Sequence, residues 1–155
     1  MRIALGSDER TPLTDAVADD LAERGHELVL VGPPGGQDDK QWAEVGRLVG
    51  WLVAEGHCQT GVLFCWTGTG ASIAANKVEG VRAALCTDAV TAAGARQWND
   101  ANVLVMGLRL TSSGLAREML DAWFSTKTDP DEAANIARLE APVDAGEERT
   151  LWSPT

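Results

Sequence analysis

Short apolar runs alternate with longer stretches in which apolar residues recur every three or four positions, and this alternation holds along most of the chain. Residues 2–8 read as an apolar strand ending in Gly6-Ser7-Asp8, after which Thr11-Pro12 opens an amphipathic helix with Leu13, Val17 and Leu21 on one face. Gly25 stops that helix, residues 27–31 form a second short strand, and Gly32-Pro33-Pro34-Gly35-Gly36 is a loop. A helix over 42–55 leads to Gly61-Val62-Leu63-Phe64-Cys65, a continuous apolar run that fits a central parallel strand covered on both faces. This strand runs into Trp66-Thr67-Gly68-Thr69-Gly70, and Ser72 is expected to cap a following helix through Asn76. A buried strand over 81–86, a helix over 89–97 capped by Thr87-Asp88, a strand over 102–107 and a helix over 113–124 continue the series. Asp129-Pro130-Asp131 starts a short final helix through Leu139.

Strands alternating with helices predict an α/β fold in which a five-stranded parallel sheet is flanked by helices. Ligands of such sheets sit at the carboxyl ends of strands near a topological switch point, and here those ends carry Asp8, Cys65, Asp88 and Gly107. The pattern covers one domain, residues 1–140. Residues 141–155 hold Pro142, Gly146, paired acids and Pro154 without periodicity, and are expected to form a C-terminal arm or tail in which Trp152 hints at docking on another subunit.

Composition narrows the setting. A chain of 155 residues that is 45% hydrophobic can bury the core of one domain. No apolar run approaches the roughly 20 residues of a membrane span, and Met1-Arg2-Ile3 leads straight into a strand without a signal-peptide core. A soluble, cytoplasmic protein is expected. Cys58, Cys65 and Cys86 are an odd set without metal-ligand spacing, so reduced thiols are expected rather than a disulfide framework. The net charge of -10 repels nucleic acid and acidic membranes, so any phosphate must be held by local groups.

The chemically informative turn follows the third strand. Cys65 precedes a glycine-bearing loop at the start of a helix, where converging N–H groups favour a thiolate that can act as a base. Thr67-Gly68-Thr69-Gly70-Ala71-Ser72 offers N–H donors to an oxyanion such as an enediolate. By itself such a turn is more often structural, and a buried cysteine more often inert packing, than catalytic.

Three segments carry a resemblance. Gly6-Ser7-Asp8, the stretch from Cys65-Trp66-Thr67-Gly68 through Ala75-Asn76-Lys77-Val78, and Val81-Arg82-Ala83-Ala84-Leu85-Cys86 resemble the family of ribose 5-phosphate isomerase B and galactose 6-phosphate isomerase in order and spacing. Asn99-Asp100-Ala101-Asn102-Val103-Leu104 and Gly107-Leu108-Arg109 continue the similarity to about residue 124. The resemblance implies a Rossmann-like three-layer sandwich and a homodimer or pair of dimers with active sites at the subunit interface. It implies a sugar phosphate as substrate and no metal or organic cofactor. It makes Cys65 the residue that moves a proton between C1 and C2 of the open-chain sugar, with Thr67, Gly68, Thr69, Gly70, Ser72 and Asn99 holding the enediolate. Asp8 matches a substrate-contacting acid and Arg109 a phosphate contact.

The sequence departs from that family where histidines are usual. Glu9 follows Ser7-Asp8, and Trp98 precedes Asn99-Asp100; His26 and His57 match neither position. Asp39 and Trp42 stand where many relatives have tyrosines, and the usual C-terminal arginine cluster is reduced to Arg138. The histidine matching Trp98 assists furanose ring opening, an acid–base task worth on the order of a hundredfold to ten-thousandfold in rate that indole cannot perform. A tetrose 4-phosphate needs no such step because its O4 is blocked, and Trp66 and Trp98 near the loop are expected to narrow the pocket for a shorter substrate. Glu9 reads equally as a proton shuttle with a raised pKa or as a solvated turn residue. Arg138 reads equally as a phosphate contact in the partner subunit or as a surface ion pair.

The remaining residues read as structural. Trp42, Trp51 and Trp123 fall on apolar helix faces and are expected in helix–sheet or dimer packing, Cys58 and Cys86 are small core residues, and Lys77 snorkels at a helix end. The expected activity is aldose–ketose isomerisation by proton transfer through a cis-enediolate on a short or acyclic sugar phosphate. The competing class is a non-catalytic sugar-phosphate sensor or a partner subunit of a hetero-oligomeric isomerase, against which Cys65 and Thr67 argue. A nucleotide or flavin binder would show a fuller phosphate fingerprint or aromatic flavin contacts, and neither is present.

Overall fold

The apolar run that opens the chain forms β1 (Arg2–Ser7), buried from Ile3 onward. A computed structural model, which describes residues 1–142, places it inside a five-stranded, all-parallel sheet. The other elements are α1 (Pro12–Glu23), β2 (Glu27–Val31), α2 (Trp42–Ala54), β3 (Thr60–Cys65), α3 (Thr69–Ala75), β4 (Ala83–Leu85), α4 (Ala89–Asn99), β5 (Val103–Gly107), α5 (Ser113–Ser125) and α6 (Ala133–Leu139), with 3₁₀ turns at Pro33–Gly35 and Pro130–Glu132. The strand order is β2-β1-β3-β5-β4.

Period-two alternation along the strands builds two separate cores. Ile3, Leu5, Val62, Phe64, Leu104 and Met106 face one side, where Val17 and Leu21 of α1, Ala92 and Ala95 of α4, and Met119, Leu120 and Trp123 of α5 cover them. Ala4, Leu63, Cys65, Val103 and Val105 face the other, under Val45 and Val49 of α2 and Ala71 and Ala75 of α3. Right-handed crossovers require this division. The chain steps one way across the sheet from β1 to β2 and from β4 to β5, and the opposite way from β2 through β3 to β4. The helix-flanked parallel sheet expected from the alternation, and the three-layer sandwich implied by the resemblance, are therefore present.

Side chains fix where the helices begin. Thr11 and Thr14 exchange reciprocal caps at the start of α1, Asp88 accepts from Thr91 N at 2.7 Å, and Ser112 accepts from Leu115 N at 3.1 Å. Ser72 is no cap: α3 starts at Thr69 behind Gly68, and Ser72 lies within the helix. The strand expected over 81–86 is only three residues long and is a partly exposed edge rather than a buried strand. Its outer side is taken by the Asn76 carboxamide, which accepts from Ala83 N at 2.8 Å and donates to Ala83 O at 2.9 Å. The arm expected over 141–155, with Trp152, lies outside the described residues apart from its first two positions.

Candidate active site

The chain leaves β1 for β2 on one side while β3 lies on the other, so the order reverses between the carboxyl ends of β1 and β3. Ser7 pairs with Phe64 in register, so Asp8, the first residue after β1, and Cys65, the last of β3, follow on neighbouring strands. That reversal is where doubly wound sheets hold small ligands.

Cys65 ends β3 on the face covered by α2 and α3 and is 5% exposed. The turn after it is pinned to β5: Leu108 N donates to Cys65 O at 3.0 Å and Arg109 N to Trp66 O at 2.9 Å. Gly68 takes φ +79°, and a Cβ there would stand 2.5 Å from Leu85 Cδ1 and 3.1 Å from the Met106 carbonyl carbon, so only glycine serves. The first bond of α3 runs from Ser72 N to Gly68 O at 3.0 Å. The amides of Thr69, Gly70 and Ala71 consequently have no acceptor among the described residues, as expected of a helix's first turn. Thr67 and Thr69 are exposed, Gly70 and Ser72 partly buried.

Across the switch point, Asp8 carries a buried carboxylate oxygen without a hydrogen-bond partner among the described residues. Burial pushes its pKa above the ordinary 3.8; its own backbone N–H opposes this and the neighbouring Glu9 charge adds to it. Glu9 itself is exposed, its amide held by the Ser7 hydroxyl at 3.2 Å. Trp66, Thr67, Gly107 and Arg109 line a cavity of about 90 Å³ on the β5 side of the turn. Arg109 is exposed and makes no ion pair among the described residues.

One chain does not bring all the expected residues together. Trp98 and Asn99 close α4 just before the amino end of β5, and Trp98 folds back over Gly94 with 53% of its surface exposed. Arg138 lies on α6, which joins the same edge through Asp129 N to Gln97 O (2.8 Å) and Arg82 to Glu140 (3.4 Å). The five residues of β5 put roughly 13 Å between this edge and Cys65. A cleft of about 440 Å³ also lies here, lined by Asn76, Arg82, Asn99 and Leu139.

Trp42 takes no place in the core of the single chain. The residue is 46% exposed, and its indole rests on Gly70 rather than in the core. Its position as the first residue of α2 was the available signal, because a first-turn side chain projects past the end of its own helix. Trp123 is buried as expected, donating to Thr60 Oγ1 at 3.2 Å, whereas Trp51 is half exposed against His57. Burial pushes the Cys86 thiol up to about 12 and raises that of Cys58, which leaves both as packing groups.

Comparison with known proteins places this arrangement. A family model described as Ribose/Galactose Isomerase matches residues 3–141. Ribose-5-phosphate isomerase B of Escherichia coli is 38% identical over 69% of this chain and 71% of its own length. D-erythrulose-4-phosphate isomerase of Pectobacterium atrosepticum is 32% identical over 82% of this chain and 84% of its own. Among solved structures, ribose-5-phosphate isomerase B of Clostridium thermocellum superposes with a TM-score of 0.84 at 33% identity, covering 98% of this chain and 100% of that one. With a doubly wound sheet, a thiol at its switch point and these relatives, the chain belongs to the ribose/galactose isomerase family. It is an aldose–ketose isomerase acting on a sugar phosphate.

Proposed function

We propose that the substrate is a four-carbon sugar phosphate, isomerised through a cis-enediolate at a site that two copies of the chain complete. The observation that carries the reading is the pairing, at one switch point, of a nearly buried Cys65 with an adjoining turn whose amides lack acceptors. Cys65, as thiolate, takes the proton from C2 of the aldose, and the electron pair moves through C1 onto the carbonyl oxygen. Thr67 and the amides at 69–71, in the loop with Gly68, Thr69, Gly70 and Ser72, hold the resulting oxyanion. Cys65 returns the proton to C1, while Asp8 passes a proton from O2 to O1. The raised pKa of Asp8 suits that exchange.

Arg109, free of carboxylates among the described residues, takes the phosphate at the rim lined by Trp66. Trp98, Asn99 and Arg138 belong to the other half of the site, contributed by a second copy in a homodimer. Two features favour four carbons. Trp98 cannot protonate a ring oxygen, and a tetrose 4-phosphate forms no furanose; moreover, one relative is a D-erythrulose-4-phosphate isomerase. Three free thiols fit a reducing, cytoplasmic setting, and among the described residues no helix is long and apolar enough to cross a membrane.

The test is proton exchange at C2 in deuterated water, followed by NMR, on tetrose, pentose and hexose phosphates. Exchange strongest on a tetrose phosphate and lost in Cys65→Ala is expected. Efficient turnover of ribose 5-phosphate with none on tetrose phosphates would overturn the chain-length assignment, and no exchange on any sugar would favour a sugar-phosphate sensor or a partner subunit.

A further inference from the structure

We propose that Trp42 is a positioning residue for the enediolate-binding turn, acting through Gly70; this rests on the isomerase reading above and extends it to a residue on a different helix. A Cβ built at Gly70 would lie 2.8 Å from Trp42 Cε3 and 3.1 Å from both Cδ2 and Cζ3, so the six-membered part of the indole presses directly on the glycine's backbone. Gly70 does not occupy the left-handed region, so its backbone conformation is open to any residue. The indole, not the turn geometry, is what excludes a side chain there.

The contact falls where support is needed. With only seven residues, α3 has little intrinsic stability, and its first turn carries the amides of Thr69, Gly70 and Ala71 that find no acceptor. Behind that turn, α2 and α3 share a core in which Val45 and Val49 meet Ala71 and Ala75. At its open end the turn has the Trp42 ring. That ring fixes the direction of donors that matter most when charge develops on the sugar oxygen, so its removal is felt in the chemical step more than in substrate capture.

The experiment is a double-mutant cycle on the full chain with Trp42→Ala, Gly70→Ala and the double variant, together with Trp42→Phe. Steady-state kinetics on the best sugar phosphate and thermal melting are measured on each. Trp42→Ala is expected to lower kcat about tenfold or more while KM moves less than about threefold, and Trp42→Phe, which keeps a ring over Gly70, to restore most of kcat. Gly70→Ala is expected to be severe beside Trp42 and much milder in the Trp42→Ala background, since the clash disappears with the indole. Unchanged kcat in Trp42→Ala, a loss confined to melting temperature, or equal effects of Gly70→Ala in both backgrounds would each overturn the proposal. Absence of wild-type exchange on every sugar phosphate would instead overturn the isomerase reading, and the two failures are distinct because the former leaves wild-type turnover intact.

Discussion

Asp8 holds a carboxylate oxygen out of water without giving it a donor, and a charge so placed favours its own protonation. Its folded pKa lies above the ordinary 3.8, so between the two values the native state binds more protons than the unfolded chain. Stability contributed by the protonated form is therefore lost as pH rises through the folded value, the reverse of a carboxylate held by a cation. Asp8→Asn removes this cost. It is expected to melt higher than wild type at neutral pH, to lose that advantage near pH 3, and to turn over sugar phosphate at least about tenfold more slowly, since an amide cannot relay the hydroxyl proton. A set of thermal melts across pH with kcat beside it checks this; a variant less stable at neutral pH would show that Asp8 is satisfied in solution. Both residues of the switch-point pair were legible as candidates because they end apolar runs. Trp42 was not, because helical periodicity marks a side chain as core without saying which residues lie beyond the end of its helix.

The same limit appears at the level of elements. The buried strands were readable as uninterrupted apolar runs, and helix starts at Thr11 and Asp88 followed from side chains that can accept an N–H. Two elements were misjudged where local chemistry competes with pattern. Around Ser72 a capping residue sits inside α3, because the glycine at 68 lets the helix begin directly after the β3 turn. Along 81–86 the apolar run reads as a buried strand, yet β4 is an edge whose outer side is paired at Ala83 by the Asn76 side chain. An edge strand with its polar groups open invites pairing with another chain, and Asn76 closes it. Asn76→Ala is expected to cost about 1–2 kcal/mol, the typical net worth of two exposed hydrogen bonds. Native-state hydrogen exchange should locate the damage as faster exchange at Ala83 N–H, with the β1 and β3 amides unchanged. Uniform acceleration across the sheet would mean that β4 is integral to the global core instead.

On the scale of the whole molecule, the sequence could name candidate site residues but not say that they fall on opposite edges of one sheet. Trp98, Asn99 and Asp100 follow α4 to its end, and Asp100, in the left-handed region at φ 45°, gathers Arg82, Arg96 and Thr128 around its carboxylate. That cluster anchors the amino-edge half of the proposed site just as the Cys65 turn anchors the carboxyl-edge half. Two halves roughly 13 Å apart in one chain meet only if a second copy turns its amino edge toward the first copy's carboxyl edge, and a two-fold axis makes that contact twice. Exposed Trp66, Ile73, Leu110 and Trp98 supply apolar surface for such a contact. Subunit complementation tests this arrangement. Cys65→Ala and Asn99→Ala, each nearly inactive alone, are mixed in equal amounts and allowed to exchange subunits. A mixed dimer then holds one site with both lesions and one with neither. Half of the dimers are mixed and each carries one intact site of two, so activity should recover to about a quarter of wild type, rising with the rate of subunit exchange. If both residues act within a single chain, every site keeps one lesion and the mixture stays as inactive as its parts.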